Sequence, residues 1–241
     1  MDAASRLAVA VDMPLQPGVE LYRKVAPHAG YAKVGLSLFV EHGPAAVEAF
    51  RALGARVFLD LKLHDIPNTV ELAAARAAAL GVSLLTVHAQ GGEAMLRAAL
   101  AGAADGAAKA GVEPPRVLAV TVLTSLSDAD LARLGHRASA ADVALALSGV
   151  AVGAGVGGLV CSPREARRLK ERHGPGLFLC TPGIRPAAAA AGDQARAETP
   201  GFAVEAGADL LVVGRPITGA ADPAAAAEAI AREIATSKDD R

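Results

Sequence analysis

Short apolar segments recur along the chain, and each is followed by a longer segment rich in Ala, Leu, Glu and Arg. Eight of the short segments are continuously apolar rather than alternating. This is typical of strands that are covered on both faces in a parallel sheet. The pattern predicts strands at residues 7–12, 31–36, 56–61, 83–88, 117–121, 156–160, 177–180 and 209–213.

The longer segments have the composition and spacing of helices, since Ala is the strongest helix former. They predict helices near residues 17–28, 44–53, 67–79, 92–109, 139–151, 163–172, 199–205 and 223–235. Eight strand–helix units in 241 residues match the size of a (β/α)8 TIM barrel. A doubly wound open sheet is the alternative, but it normally has fewer strands. We therefore expect residues 1–241 to form a single barrel domain.

The overall charge and composition exclude several classes of protein. The chain has 24 Lys and Arg against 25 Asp and Glu, is 52% hydrophobic, and has only 3% aromatic residues. These values argue against disorder and against a nucleic-acid-binding surface. No uncharged apolar run is long enough to span a membrane, and the N-terminal segment does not have the layout of a secretion signal. Two cysteines make no disulfide framework, so we expect a cytoplasmic protein.

Charged and polar residues follow most of the predicted strands, which is where TIM-barrel enzymes have their active sites. The densest group is DLKLHDIPNT, residues 60–69. Asp60 and Lys62 point to the same side of an extended segment. Together with Lys33 and Asp65 on neighbouring elements, they predict a network of alternating charges that can hold a lysine protonated as a proton donor. A plain Asp–Lys ion pair is the structural alternative.

A second group of candidates follows the last two predicted strands, in TPGIRP (181–186) and VGR (213–215). The loops after strands seven and eight are the frequent phosphate site of this fold. Gly214 lets the backbone approach an anion, and Arg215 offers a bidentate guanidinium group. A structural turn is the alternative. The loop at residues 182–198 is long for a compact fold, which indicates a lid.

These segments resemble the orotidine 5′-phosphate decarboxylase family, in the family's order and over nearly the whole chain. The matching segments are LAVAVD (7–12), KVGL (33–36), FLDLKLHDIPNT (58–69), VTVLTS (120–125), TPGIRP (181–186), GDQAR (192–196) and VGRPIT (213–218). One departure is Ala195, where many members have Lys. The resemblance implies conversion of orotidine 5′-monophosphate to uridine 5′-monophosphate, with no metal and no cofactor.

The resemblance also implies a role for each matching residue. Lys62 would stabilise and protonate the carbanion at C6, and Asp60 would lie against the substrate carboxylate. Asp65 and Thr69 would reach the active site of the other subunit of a homodimer. The remaining matching residues would bind the ribose (Lys33 and Asp12), the pyrimidine edge (Thr124), the phosphate (Arg185, Gly214 and Arg215), or both phosphate and pyrimidine (Gln194).

Two other functions are compatible with a barrel of this kind. A Mg²⁺-dependent sugar-phosphate decarboxylase or hexulose-phosphate synthase shares the D-x-K-x-x-D pattern, but usually has an acidic residue on strand two. Lys33 occupies that strand here and would repel a metal ion. A non-catalytic ligand-binding barrel would be expected to have lost Lys62 or an aspartate of the network, and all of them are present.

Overall fold

A computed structural model describes residues 2–186 and 198–237 of the chain. Eight strands close into a barrel in sequence order, and each strand pairs in parallel with both neighbours. This confirms the predicted (β/α)8 TIM barrel. The strands are β1 Leu7–Ala10, β2 Tyr31–Gly35, β3 Arg56–Leu63, β4 Leu84–His88, β5 Arg116–Val120, β6 Gly158–Val160, β7 Phe178–Thr181 and β8 Leu210–Val213.

The helices surround the barrel, and within the described residues none is long and apolar enough to cross a membrane. They are α1 Leu15–Val25, α2 Leu36–His42, α3 Pro44–Arg51, α4 Pro67–Ala79, α5 Gly92–Ala110, α6 Asp128–Arg133, α7 Ala140–Gly153, α8 Pro163–His173, α9 Pro200–Glu205, α10 Arg215–Thr218 and α11 Pro223–Thr236. Helices α2, α6 and α10 are absent from the sequence prediction. Each has only one or two turns, which is too short to give a clear helical periodicity.

Apolar side chains lie on both sides of the barrel wall, which explains why the strands are continuously apolar. Val9, Leu59 and Leu85 point outward and are fully buried under the helices. The inward-facing residues form a separate core inside the barrel, which includes Ala8, Ala10, Tyr31, Phe58, Leu84, Leu118, Val120, Val160, Cys180, Leu210 and Val212. The interior is therefore packed rather than hollow, as in other TIM barrels.

Two aromatic side chains lie at the N-terminal end of the barrel. The guanidinium of Arg56 lies over the ring of Tyr31, 4.0 Å from its centroid. Arg116 lies over Phe178 in the same way, at 4.5 Å. These cation–π contacts cover the rings at the start of β2 and β7. The polar strand ends lie at the opposite, C-terminal end of the barrel.

Helices α4 and α5 pack backbone to backbone beside β3 and β4. A Cβ atom at Gly102 would collide with the carbonyl of Glu71, and one at Gly106 would collide with the carbonyl of Ala75. Only glycine fits at these two positions of α5, because any side chain would push the helices apart. This close packing holds the start of α4 in place, directly after the segment that contains Asp60 and Lys62.

Candidate active site

A cavity of about 450 Å³ opens at the C-terminal ends of the strands. This volume is within the range of small-molecule sites. The cavity is lined by most of the site residues that were predicted from the sequence: Asp12, Lys33, Asp60, Lys62, Thr124, Arg185, Gly214 and Arg215. Residues from β1, β2, β3 and from the loops after β5, β7 and β8 thus meet in one space, although they are far apart in the sequence.

Four charged side chains form an alternating chain on one side of this cavity. Nζ of Lys62 lies 2.7 Å from Oδ2 of Asp60, and Nζ of Lys33 lies 3.6 Å from the same oxygen. Lys33 also contacts Oδ1 of Asp12 at 3.3 Å. Lys33 and Asp60 are buried, whereas the Lys62 side chain retains 29% of its exposure. Of these two lysines, Lys62 is therefore the one whose ammonium group a ligand in the cavity reaches more directly.

The surroundings of Asp60 keep its carboxylate ionised. Burial alone would raise the pKa of Asp60, but the ammonium groups of Lys33 and Lys62 act against it. Hydrogen bonds from Lys62 and from the hydroxyl of Thr86 lower it further, and the net result is a pKa below the ordinary value. A carboxylate that stays charged attracts both adjacent ammonium groups.

The backbone of Lys62 is in an unusual conformation. Its φ angle is +50°, the only positive φ at a non-glycine residue in the described part of the chain. The left-handed region costs an L-residue about 1–2 kcal/mol. The pairing of β3 with β4 also shifts between Leu59 and Leu63, which marks a bulge. Simple alternation along an extended strand is therefore an incomplete explanation of why Lys62 and Asp60 meet. The bulge turns Lys62 toward the carboxylate.

Two arginines, which follow β7 and β8, also line the cavity. Burial lowers the pKa of Arg185, and the neighbouring guanidinium of Arg215 lowers it further. Two cations that repel each other in one cavity favour an anionic ligand. Gly214 adds no side chain there, and a Cβ at this position would make only an ordinary contact with Ala10.

The base of the loop that holds Arg185 is fixed by Glu198. The backbone N–H of Arg185 donates to the Glu198 carbonyl at 2.9 Å, and the N–H of Glu198 donates to the carbonyl of Gly183 at 3.1 Å. The Glu198 carboxylate accepts from Nε of Arg164 on α8 at 2.6 Å. Gln194 and residues 187–197 of the expected lid lie outside the described residues.

Asp65 and Thr69 do not join the other candidates. Both are exposed to solvent, and neither lines the cavity formed by the described residues. Oδ1 of Asp65 accepts a hydrogen bond from the N–H of Ile66 at 2.6 Å. Within one copy of the chain, these two residues therefore do not contribute to the site.

Two residues of the site region are missing from the sequence prediction. The hydroxyl of Thr86 donates to Oδ1 of Asp60 and accepts from the backbone N–H of Lys62, both at 2.9 Å. A Cβ at Gly35 would lie 2.9 Å from Oδ1 of Asp12 and 3.0 Å from Nζ of Lys33. Thr86 has a sequence signal, because it is a polar residue in the middle of an apolar strand, at an inward position. Gly35 has no such signal beyond its place at the end of β2.

Neither geometry nor composition points to a metal centre in this region. Across residues 2–186 and 198–237, no group of three or more His, Cys, Asp or Glu side chains is placed to share a metal ion. The charged groups that line the cavity are instead lysines, arginines and two aspartates. Such a site is suited to a ligand that carries negative charge.

The chain belongs to the orotidine 5′-phosphate decarboxylase / HUMPS family, whose model matches residues 5–230. It is 54% identical over 232 residues to the orotidine 5′-phosphate decarboxylase of Anaeromyxobacter sp. (strain K), covering 96% of this chain and 99% of that protein. It is 51% identical over 235 residues to the enzyme of the same name from Thermobifida fusca (strain YX), covering 96% of each.

A solved structure agrees with this assignment. The crystal structure of orotidine 5′-phosphate decarboxylase from Lactobacillus acidophilus superposes on this chain with a TM-score of 0.84 at 40% sequence identity. The superposition covers 95% of this chain and 99% of that chain. The family assignment therefore rests on agreement in both sequence and fold over the full barrel.

Proposed function

We propose that this chain is a carboxy-lyase that converts orotidine 5′-monophosphate to uridine 5′-monophosphate, the last step of de novo synthesis of that nucleotide. The names of relatives that match over nearly their whole length support the reaction. The observation that carries the proposal is the 2.7 Å contact between Lys62 and Asp60, at one side of a cavity that also contains Arg185 and Arg215. The reaction needs neither a metal nor an organic cofactor.

The chemistry requires stabilisation of a localised carbanion. The bond between C6 and the carboxylate carbon breaks, CO₂ leaves, and the electron pair remains on C6 in the plane of the ring. No π system delocalises it, so the enzyme must contribute near the upper end of the usual ~8–23 kcal/mol. The ammonium of Lys62 stabilises the developing charge and donates a proton to C6, and Lys62 then regains a proton from water.

The other members of the charge network prepare Lys62 for this step. Asp60, which lies against the substrate carboxylate, holds the Lys62 ammonium in position and aimed at C6. Lys33 and Asp12 bind the ribose hydroxyls, and Thr124 contacts the edge of the pyrimidine. Because the ion pairs of the network fix these groups relative to one another, little reorganisation is needed during the reaction.

The phosphate of the substrate binds at the arginine side of the cavity. Arg185 and Arg215 pair with the phosphate oxygens, and Gly214 lets the backbone come close to them. Binding energy from this non-reacting group can be used to hold the pyrimidine against Lys62. Two further expectations stay predictions. One is that Gln194 contacts both the phosphate and the pyrimidine, and the other is that the loop at residues 182–198 closes over the substrate.

A homodimer would complete the site with Asp65 and Thr69 of the second subunit. Two observations support it. Both residues are exposed and stand outside the cavity of their own chain. Large apolar side chains on α2 and around the start of α4 are also exposed: Leu36 by 54%, Val40 by 82%, Ile66 by 66% and Leu72 by 60%. Exposed apolar side chains on neighbouring elements are typical of a self-association surface.

The Mg²⁺-dependent sugar-phosphate alternative is not favoured. Such enzymes usually have an acidic residue on β2, and this chain has Lys33 there, 3.6 Å from the Asp60 carboxylate. A buried ammonium at that distance would repel a divalent cation. The relatives that match the whole barrel also bear the name of the orotidylate enzyme.

A cytoplasmic location is the last part of the proposal. Cys161 and Cys180 are both buried and free. Free thiols are what a reducing compartment permits, and burial protects them from exchange. Detection of the protein in the cytosolic fraction of its own cells would support this location, and detection in an envelope or secreted fraction would contradict it.

The reaction is tested with purified protein in the presence of EDTA, by following the ultraviolet absorbance of orotidine 5′-monophosphate. We expect the substrate to be consumed with EDTA present. The Lys62→Ala variant, purified in the same way, is the control for contamination by a host enzyme. Activity that disappears with EDTA and returns with Mg²⁺ would favour the sugar-phosphate alternative.

A further inference from the structure

We infer that Thr86 is a positioning residue for the reaction, because its hydroxyl joins the carboxylate of Asp60 to the backbone of Lys62. The inference rests on the proposed function and deepens it. The described residues that line the cavity do not include Thr86. It therefore acts through the two residues that it holds, and not through a contact with the substrate.

The strand register shows why a side chain is needed at this point. Leu59 of β3 pairs with Leu85 of β4, and the next pair is Leu63 with Val87. Three residues of β3, Asp60 to Lys62, therefore lie opposite Thr86 alone. The regular ladder cannot satisfy the backbone groups of all three, and an unpaired buried N–H is unfavourable.

The hydroxyl of Thr86 takes the place of the missing ladder bond. It accepts from the backbone N–H of Lys62 at 2.9 Å and donates its own proton to Oδ1 of Asp60 at 2.9 Å. A hydroxyl can do both at once, because it is a donor and an acceptor. Lys62 approaches the other oxygen of the same carboxylate, Oδ2, with its Nζ atom at 2.7 Å. The Thr86 hydroxyl thus ties the backbone of Lys62 to the Asp60 carboxylate, and that carboxylate in turn holds the Nζ atom of Lys62.

The position of Thr86 leaves no substitute for this hydroxyl. Its exposed fraction is 0%, so bulk water does not reach the place that the hydroxyl occupies between Asp60 and Lys62. Loss of the hydroxyl would leave the Lys62 N–H without its acceptor and would remove one hydrogen bond from Asp60. The left-handed backbone of Lys62 would then be free to relax, and its ammonium would move away from C6.

The test compares Thr86→Val, which keeps the branched shape without the hydroxyl, with Thr86→Ser, which keeps the hydroxyl. We expect Thr86→Val to lower kcat about 10- to 100-fold, since misplacement of a reacting group by an ångström has an effect of that size. Affinity for uridine 5′-monophosphate should change by less than about threefold, because contacts to phosphate and ribose remain. Thr86→Ser should retain kcat within about threefold of the unsubstituted protein.

The pH profile gives a second readout that a purely structural residue would not move. Removal of the Thr86 hydrogen bond weakens the stabilisation of the Asp60 carboxylate and raises its pKa. The acidic limb of kcat/KM against pH should therefore shift to higher pH in Thr86→Val. It should stay in place in Thr86→Ser.

The matched control is Thr121→Val at the end of β5. Thr121 is also buried, and its hydroxyl donates to the carbonyl of Val160 at 3.0 Å, away from the lysines. This control should lower thermal stability with little change in kcat. If Thr86→Val does not fold, Thr86→Ala against Thr86→Ser makes the same comparison, because these variants differ by one hydroxyl.

The outcomes separate this inference from the proposed function. An unsubstituted protein that does not act on orotidine 5′-monophosphate would refute the proposed function. A different result would refute the role of Thr86 alone. In that case the unsubstituted protein is active, and the kcat of Thr86→Val lies within about threefold of the kcat of the unsubstituted protein. A Thr86→Ser variant as impaired as Thr86→Val would do the same, because the effect would then come from packing and not from the hydroxyl.

Discussion

The Nζ atom of Lys62 lies 2.7 Å from Oδ2 of Asp60, although a regular strand does not extend through Lys62. The contact forms because the backbone enters the left-handed region at Lys62 and the register of β3 against β4 shifts there. Unfavourable backbone conformations persist where the surrounding structure holds them, and they are frequent at active sites. This ion pair is therefore the first place to test the proposed chemistry.

Removal of the Lys62 ammonium should stop the reaction and leave much of the binding intact. In Lys62→Ala we expect kcat to fall by about 10³-fold or more, since both the proton donor and the fixed charge are lost. Steady-state kinetics and calorimetric titration with uridine 5′-monophosphate measure the two effects. Lys109→Ala is the control, because Lys109 is an exposed lysine paired with Asp105 on α5. Activity near that of the unsubstituted protein would remove Lys62 from its role.

Arg215→Ala should discriminate between ligands with and without a phosphate. We expect affinity for uridine 5′-monophosphate to fall about 10- to 100-fold, the usual effect of a lost charge-assisted hydrogen bond. Affinity for uridine should change little. Arg232→Ala, on the exposed face of α11 where Arg232 pairs with Glu228, is the control. Equal losses for nucleotide and nucleoside would show that Arg215 does not bind the phosphate.

Mixing two inactive variants tests whether Asp65 acts across a subunit interface. Lys62→Ala and Asp65→Ala should each be nearly inactive. In a mixed dimer one site has both Lys62 and Asp65, so random exchange should restore about a quarter of the sites. The assay is activity after the subunits are dissociated and reassociated together. No recovery, despite mixed dimers detected by mass spectrometry, would show that Asp65 acts within its own chain or not at all.

Gly35→Ala should disturb the charge network without touching a charged residue. A Cβ at Gly35 would lie 2.9 Å from the Asp12 carboxylate and 3.0 Å from the Lys33 ammonium, so both groups must move. We expect kcat/KM to fall about tenfold or more, because small displacements of positioned groups have effects of this size. Gly149→Ala on α7 is the control, since a Cβ there meets no atom within 4 Å. Unchanged kcat/KM in Gly35→Ala would show that the network tolerates displacement.

His88 should be neutral at physiological pH. Burial lowers the pKa of His88 below 6.5, and the charges of His64 and Lys62 lower it further, against the opposite effect of Asp60. Its imidazole lies beside that of His64, with ring centroids 5.3 Å apart. An NMR titration should therefore give a midpoint below 6.5, and Lys62→Ala should raise it. A midpoint at or above 6.5 would contradict this.

The same shift has a consequence for stability. The unfolded chain takes up a proton at His88 near the ordinary pKa of 6.5, whereas the folded chain takes it up only at lower pH. The contribution of neutral His88 to stability is therefore complete above about pH 6.5 and is lost as the pH falls through this region. Urea unfolding of the unsubstituted protein and of His88→Asn, at pH 7.5 and 5.5, measures the difference. The contribution is absent if both proteins lose stability equally.

The sequence by itself determined the architecture and much of the membership of the site. Buried parallel strands must be apolar on both faces, so β1 to β8 are visible as short apolar runs. A polar residue at the end of such a run is conspicuous, which is why Asp12, Asp60, Lys62 and Arg215 are readily found. Both signals are local, and a linear pattern is sufficient to reveal them.

Only the tertiary structure decided how these residues meet. The hydroxyl of Thr86 reaches Asp60 and Lys62 because β4 pairs with β3 in one register and leaves a bulge there. The tertiary structure also decided that Asp65 and Thr69 are exposed and do not line the cavity formed by the described residues of their own chain. Periodicity shows which residues are polar or buried, but contacts across strands depend on register and backbone twist. Those are set by the packing of the whole barrel.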